Sequence, residues 1–547
     1  MEAANNFLPK HQILISASFI FLQRRTILFL APAFMTFKMP KPKQFTKMPK
    51  KRSKHVQSVP ETADEYLAAG VDFEEAGEKW RGGDAAKSTR FFVRAIDCYD
   101  EALKKFPNSF DLAYNKARVQ YELTQHPKLL RLLPGSLLDL LQTALTSSQF
   151  ALSLNEENAD ALFNLAQVLT SLAENLSESS TDGSTLDLIE QALRLFQLCL
   201  ECQEKQAKES AAQAQLAESM LSNNGDAPHG QPTDVVDSEE SGISVSTASA
   251  MDIDDGKEPA QDERWASIVE PVTNDVLLDT VLAQLETLSQ LCGLMLNVSE
   301  EAIGRVETYA KDLINFKLDQ YVTGTDRFLE ANITKANFLC AFTNLQFQAN
   351  LTDINRYAET IQTAYSTITL EASAEGLCSY AEALIAFNSS ARILTTTNPK
   401  VNSRDTLAAR WLALSKALTH LTAASKIPEV DNIVKIHIAR GDVEVSRFQL
   451  GHTDIVFEPA RDNSEVLLKN AGKFYVGAKN LASTLGWEDE GIEAAFKQAL
   501  VKGLLGDGNE LKVGLHEAQK GTALLVELLE DGLVTREQLH KMDIKDF

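Results

Sequence analysis

At 547 residues the chain is long enough for several ordinary domains or for one extended solenoid, and its 26 glycines and 16 prolines are few for that length. Leu and Ala dominate and period-two runs of Val and Ile are rare, so a largely helical chain with no sheet is expected. A formal charge of −23 argues against a body that grips nucleic acid and favours basic partners, although a merely solvated surface would carry the same charge. Cys98, Cys199, Cys202, Cys292, Cys340 and Cys378 are scattered through apolar helical stretches, the usage of reduced thiols and not of a disulfide framework.

The charge is unevenly spread. Residues 1–55 hold Glu2 against Lys10, Arg24, Arg25 and eight basic residues from Lys38 to Lys54, a net of +10, so the rest of the chain carries −33. The apolar run Ile13 to Leu22 is cut off by Arg24 and Arg25, and falls short of the roughly 20 apolar residues that cross a bilayer. We therefore expect no membrane span, and read residues 1–61 as a basic, mostly disordered segment. Residues 1–38 are expected to be an upstream extension ahead of Met39, with a mitochondrial leader as the alternative. The run "KMPKKRSKH" reads as a nuclear import signal, which places the protein in the nucleus or the cytoplasm.

Next comes "AIDCYDEALKKFPNS" at 95–109. Ala95, Tyr99 and Ala102 put a small, a large and a small residue on one helical face, and Pro107 ends the helix. A second segment has Ala144, Ser148 and Ala151, the last of them opening "ALSLNEENADALFNLAQVL", and a third helix carries Ala192, Phe196 and Cys199. Ala102, Ala151 and Cys199 are 49 and 48 residues apart. Small residues at this spacing let antiparallel helices approach closely while the large one fills the groove between them.

These segments resemble tetratricopeptide repeats, degenerate and with lengthened connections, over residues 62–203. The resemblance implies an all-α superhelical array of antiparallel helix pairs. Residues 204–263 extend a helix and then read "GDAPHGQPTDVVDSEESGISV", acidic and poor in apolar residues, an expected disordered linker. Helical periodicity resumes over 264–547, a second helical-repeat region, where "AEALIAF" and "AAFKQALVKG" look like second helices of repeats. One interrupted array and two joined arrays are both consistent with this pattern.

No motif for chemistry is found. G-x-x-x-x-G-K-S/T, G-x-G-x-x-G, G-x-S-x-G and H-E-x-x-H are all missing, so no enzyme and no cofactor are expected. Cys199 and Cys202 form one C-x-x-C without a second pair, and no metal is expected there.

The repeat family also includes co-chaperones that hold an acidic carboxyl terminus in a clamp of Lys, Asn and Arg. Asn115 and Asn164 fall at one clamp position, but Tyr114, Phe163, Arg118 and Gln167 stand where the family's Lys and Asn are expected, so the clamp is rejected. These six residues are expected to line a concave groove that bonds an extended peptide. The expected function is a non-enzymatic adaptor, a chaperone or assembly factor for a basic client such as a ribosomal protein or a histone. The alternative is a scaffold subunit of a larger complex.

Overall fold

The computed structural model describes residues 60–177, 184–223, 272–295, 299–397, 402–428, 430, 432–517 and 521–544, and these are all-α. The basic segment before Pro60 and the acidic stretch 224–271 lie outside the described residues, as do the expectations placed on them. Among the described residues no strand occurs, and no helix is long and apolar enough to cross a membrane.

Helix α1 (Ala63–Arg81) starts where Thr62 and Glu65 exchange side-chain-to-backbone hydrogen bonds, satisfying amides that the first turn leaves free. Asp84 caps α2 (Ala85–Lys105) by accepting from the Lys87 amide. Then follow α3 (Phe110–Thr124), α4 (Leu137–Leu154), α5 (Ala159–Ser177) and the 40-residue α6 (Ser184–Asn223). The stretch expected to be an inserted connection, "PKLLRLLPGSLLDL", is a one-turn helix at Pro127–Leu130 followed by the Ser136–Asp139 capping box that opens α4.

After the undescribed stretch come α7 (Asn274–Leu294) and α8 (Glu300–Asp312), the latter continued by a π-helical stretch Leu313–Leu318 and a last turn Asp319–Val322. Next are α9 (Phe328–Gln348), α10 (Ile354–Ser366), α11 (Ala374–Thr397), α12 (Arg404–Ala424) and α13 (Ile433–Gln449). The chain closes with α14 (Ser464–Leu485), α15 (Glu488–Leu504), α16 (Asn509–Glu517), α17 (Gly521–Glu530) and α18 (Arg536–Lys541).

Each helix packs chiefly on its neighbours in sequence, which is what makes this a helical-repeat array. The small–large–small triplet forms the seam. Ala95, Tyr99 and Ala102, then Ala144, Ser148 and Ala151, then Ala192, Phe196 and Cys199 are all buried. The same triplet recurs on α12 as Ala417, Leu421 and Ala424 and on α14 as Ala471, Tyr475 and Ala478, every one of them fully buried. "AEALIAF" and "AAFKQALVKG" lie on α11 and α15, the helices before α12 and after α14.

The array is continuous across residue 223. Leu193 and Leu200 of α6 share one core with Leu278, Leu285 and Leu288 of α7. It also turns back on itself, since Arg131 Nη1 donates to the Gly486 carbonyl at 3.2 Å, 355 positions along the chain.

Candidate functional site

Of the six residues expected to line a groove, all are buried in the described chain. Arg118 turns inward to pair with Glu74 and, at 3.2 Å, with Glu122. Phe163 packs edge-on against Phe196 with ring centroids 5.4 Å apart, a core contact. The expectation of an open peptide groove built on these two side chains is therefore corrected: an ion pair satisfies one and ring packing the other. Asn115 donates Nδ2 to its own helix at the Asp111 carbonyl, 2.8 Å away.

Tyr114, Asn164 and Gln167 behave differently. The Tyr114 hydroxyl, both polar atoms of the Asn164 amide and Gln167 Oε1 are buried without a well-formed hydrogen bond. The hydroxyl and the Asn164 amide face one another across the α3–α5 seam but do not close good geometry. Buried polar atoms left unsatisfied are costly and rare, so this seam is polar and incompletely closed.

Further along the same row of helices the array gathers carboxylates. Glu174 on α5, Glu286 on α7, Glu330 on α9 and Glu375 on α11 lie close enough for their charges to act together on Glu286. Glu286 has no hydrogen bond or ion pair among the described residues. Burial first, and then the charges of Glu174, Glu375 and Glu330, push its carboxyl from 4.5 up to about 8. Burial and the Glu330 charge raise Glu375 in the same direction.

The other members are partly answered. Glu174 accepts a hydrogen bond from Gln290, and Arg327 forks onto Glu330 with two contacts of 2.6 Å while reaching Asp279 at 2.6 Å. Glu330 thus has a cation beside it, and Glu286 has none among the described residues.

Sequence reasoning passed over this wall, although a signal was present. Glu286, Glu330 and Glu375 are 44 and 45 residues apart (330 − 286 and 375 − 330), close to the 48 and 49 of the small-residue seam. A carboxylate recurring at the repeat spacing marks one side of the array. Chemically the wall can hold a cation, such as a lysine or arginine side chain. Among the described residues no group of three or more His, Cys, Asp or Glu side chains is arranged to hold a metal ion.

No protein-family model matches the chain. A curated protein of Schizosaccharomyces pombe, UPF0656 protein C926.02, is 36% identical over 113 residues, which is 21% of this chain and 24% of that protein. The chain thus matches about a quarter of that relative's length. A solved structure described as a circular tandem repeat protein with novel repeat topology and enhanced subunit contact surfaces aligns with 88% of this chain and 98% of its own, at 12% identity and a TM-score of 0.28.

Proposed function

We propose that the chain is a tetratricopeptide-like interaction protein that holds a basic client segment against the wall of Glu174, Glu286, Glu330 and Glu375, and so acts as a chaperone or assembly factor. The observation that carries this reading is Glu286, a carboxylate among carboxylates with no cation of its own. Such a group is held protonated in the free chain, and a bound lysine or arginine supplies the missing charge and releases the proton. The net charge of −23 adds long-range attraction for a basic client and speeds its arrival. The basic run before Lys54 supports a nuclear or cytoplasmic site of action.

An octa-arginine peptide is the direct probe, with binding read by fluorescence anisotropy. Glu286→Gln is expected to weaken it about tenfold, near 1.4 kcal/mol. Binding by the unaltered chain should tighten as pH rises from 7 toward 9, with proton uptake by the buffer, because the peptide binds the ionised carboxyl. Equal affinity in both chains would discard the wall as the binding site. Affinity purification addresses identity: one stoichiometric basic protein supports the chaperone, and several neutral subunits would make the chain a scaffold.

Stability gives an independent check. The folded state keeps the Glu286 proton up to about 8, whereas the unfolded chain loses it near 4.5. The folded chain is therefore progressively disfavoured as pH rises between those values. Glu286→Gln removes that slope, so its urea midpoint should exceed the parent's at pH 8 and match it near pH 4. A midpoint difference that does not vary with pH would contradict the raised carboxyl.

A further inference from the structure

We infer that Arg410, together with Arg392, forms an oxyanion-binding site where α11 and α12 meet the turn between α17 and α18. Arg410 sits on α12 with only 5% of its surface exposed. Its Nε donates to Asn388 Oδ1 on α11 at 2.9 Å, and no carboxylate among the described residues pairs with it. The charge that acts on it is another cation, Arg392, one helical turn beyond Asn388. Burial and that second arginine lower Arg410 to about 9, so it stays charged at neutral pH.

Arg392 is pinned. Its Nη2 donates to the Glu530 carbonyl at 2.7 Å, and its guanidinium lies so close to Gly532 that a Cβ there would sit 2.7 Å from Cζ. Its Nε is buried with no acceptor. Asp531 is within reach of its charge but forms no ion pair with it, and Asp531 also answers to Lys497 and Asp442. The result is two guanidinium groups, oriented by neighbouring oxygens, that retain unused N–H donors and form no ion pair with a carboxylate among the described residues.

Buried arginines are almost always paired, because an uncompensated charge in the interior is strongly unfavourable. A ligand that carries two or three oxygens on one centre would complete the site, and the guanidinium fork fits such a group two-point. Orthophosphate and a carboxylate share this chemistry. The first would arrive as a free ion, the second on an acidic polypeptide. Asn388, which already fixes the Arg410 fork, is the positioning residue.

The intact chain tests this by equilibrium dialysis against labelled orthophosphate, with a terminally blocked tetraglutamate peptide in a parallel arm and sodium chloride holding ionic strength constant. The expected result is one equivalent of orthophosphate or of peptide bound per chain, and whichever arm binds identifies the source. Arg410→Met should reduce that binding at least tenfold. Arg410→Lys keeps the charge but loses the fork, and should also weaken it about tenfold; it serves as the second variant if Arg410→Met does not fold. Binding in neither arm overturns the site. So does binding that both Arg410 variants retain, which would belong to surface lysines.

A structural role predicts something else. If Arg410 served only to hold Asn388, Arg410→Met would lower the unfolding midpoint in the absence of any anion. A site without its ligand predicts an equal or higher midpoint, because the variant removes an uncompensated charge.

Discussion

Replacing Lys497 by methionine is expected to destabilise the protein by about 3–5 kcal/mol, more than any surface substitution in the chain. Lys497 is 5% exposed on α15, and its ammonium meets Asp442 Oδ2 and Glu493 Oε1, each at 2.8 Å. Asp442 in turn accepts from the Tyr475 hydroxyl at 2.7 Å. Burial alone would lower the ammonium's proton affinity, yet the two carboxylates outweigh it and raise it. Asp531, lifted to about 6 by burial against the pull of Lys497, leans on the same charge.

Methionine fills most of the space but leaves these acids facing one another in a desolvated seam. They would respond by taking up protons, so the deficit should shrink as pH falls through about 6, where Asp531 titrates even with Lys497 beside it. Urea unfolding of Lys497→Met at pH 7.5 and pH 4.5 measures both effects. A loss under about 1 kcal/mol at the higher pH would mean that water reaches the network and the seam is open.

The second large effect is expected at Gly441. A Cβ built there would lie 2.3 Å from Cε1 and 2.6 Å from Cζ of Tyr475. That ring is fully buried and tied by its hydroxyl to Asp442, so it cannot step aside. Close-packed interiors absorb such an overlap only by moving backbone, and Gly441→Ala should cost about 3 kcal/mol, at the upper end for overpacking. The double variant Gly441→Ala with Tyr475→Leu should recover part of the loss, since the smaller side chain vacates the contested volume. Denaturant midpoints of the three variants decide this: no recovery in the double variant would place the clash elsewhere.

These two positions have counterparts at the other end of the array. Gly70 stands against Tyr99, with a Cβ there 2.2 Å from the ring. The Tyr99 hydroxyl donates to Glu74 at 2.5 Å, and Glu74 pairs with Arg118 of α3. Glycine, acid, tyrosine and cation thus recur as Gly441, Asp442, Tyr475 and Lys497. One solution to packing a tyrosine between helix pairs is used near both ends of the chain.

The tyrosine half of this unit is legible in the sequence, and the glycine half is not. Ala95, Tyr99 and Ala102 are read because their pattern is local, repeated every turn or two of one helix. Gly70 and Gly441 look like ordinary helix-weakening residues until the ring 29 or 34 positions later is seen against them (99 − 70 and 475 − 441). Asn115 and Asn164 stand out by position in the repeat, but their burial depends on the helices packed around them. Glu286 is the opposite case. An acid on a helix face reads as solvated, and only the side-by-side arrangement of α5, α7, α9 and α11 turns four such acids into one wall.

The cores of this array are assembled from residues near one another in sequence, and that bears on how it is made. The first core, from Tyr66 through Tyr99 to Leu129, draws on α1, α2, α3 and the turn behind them and needs nothing further along. On a ribosome this unit can close while the remaining helices are still unmade, and each later pair then docks onto a finished surface. Folding in that order exposes one unpacked helix pair at a time, so the acidic wall is completed only after α11 has emerged.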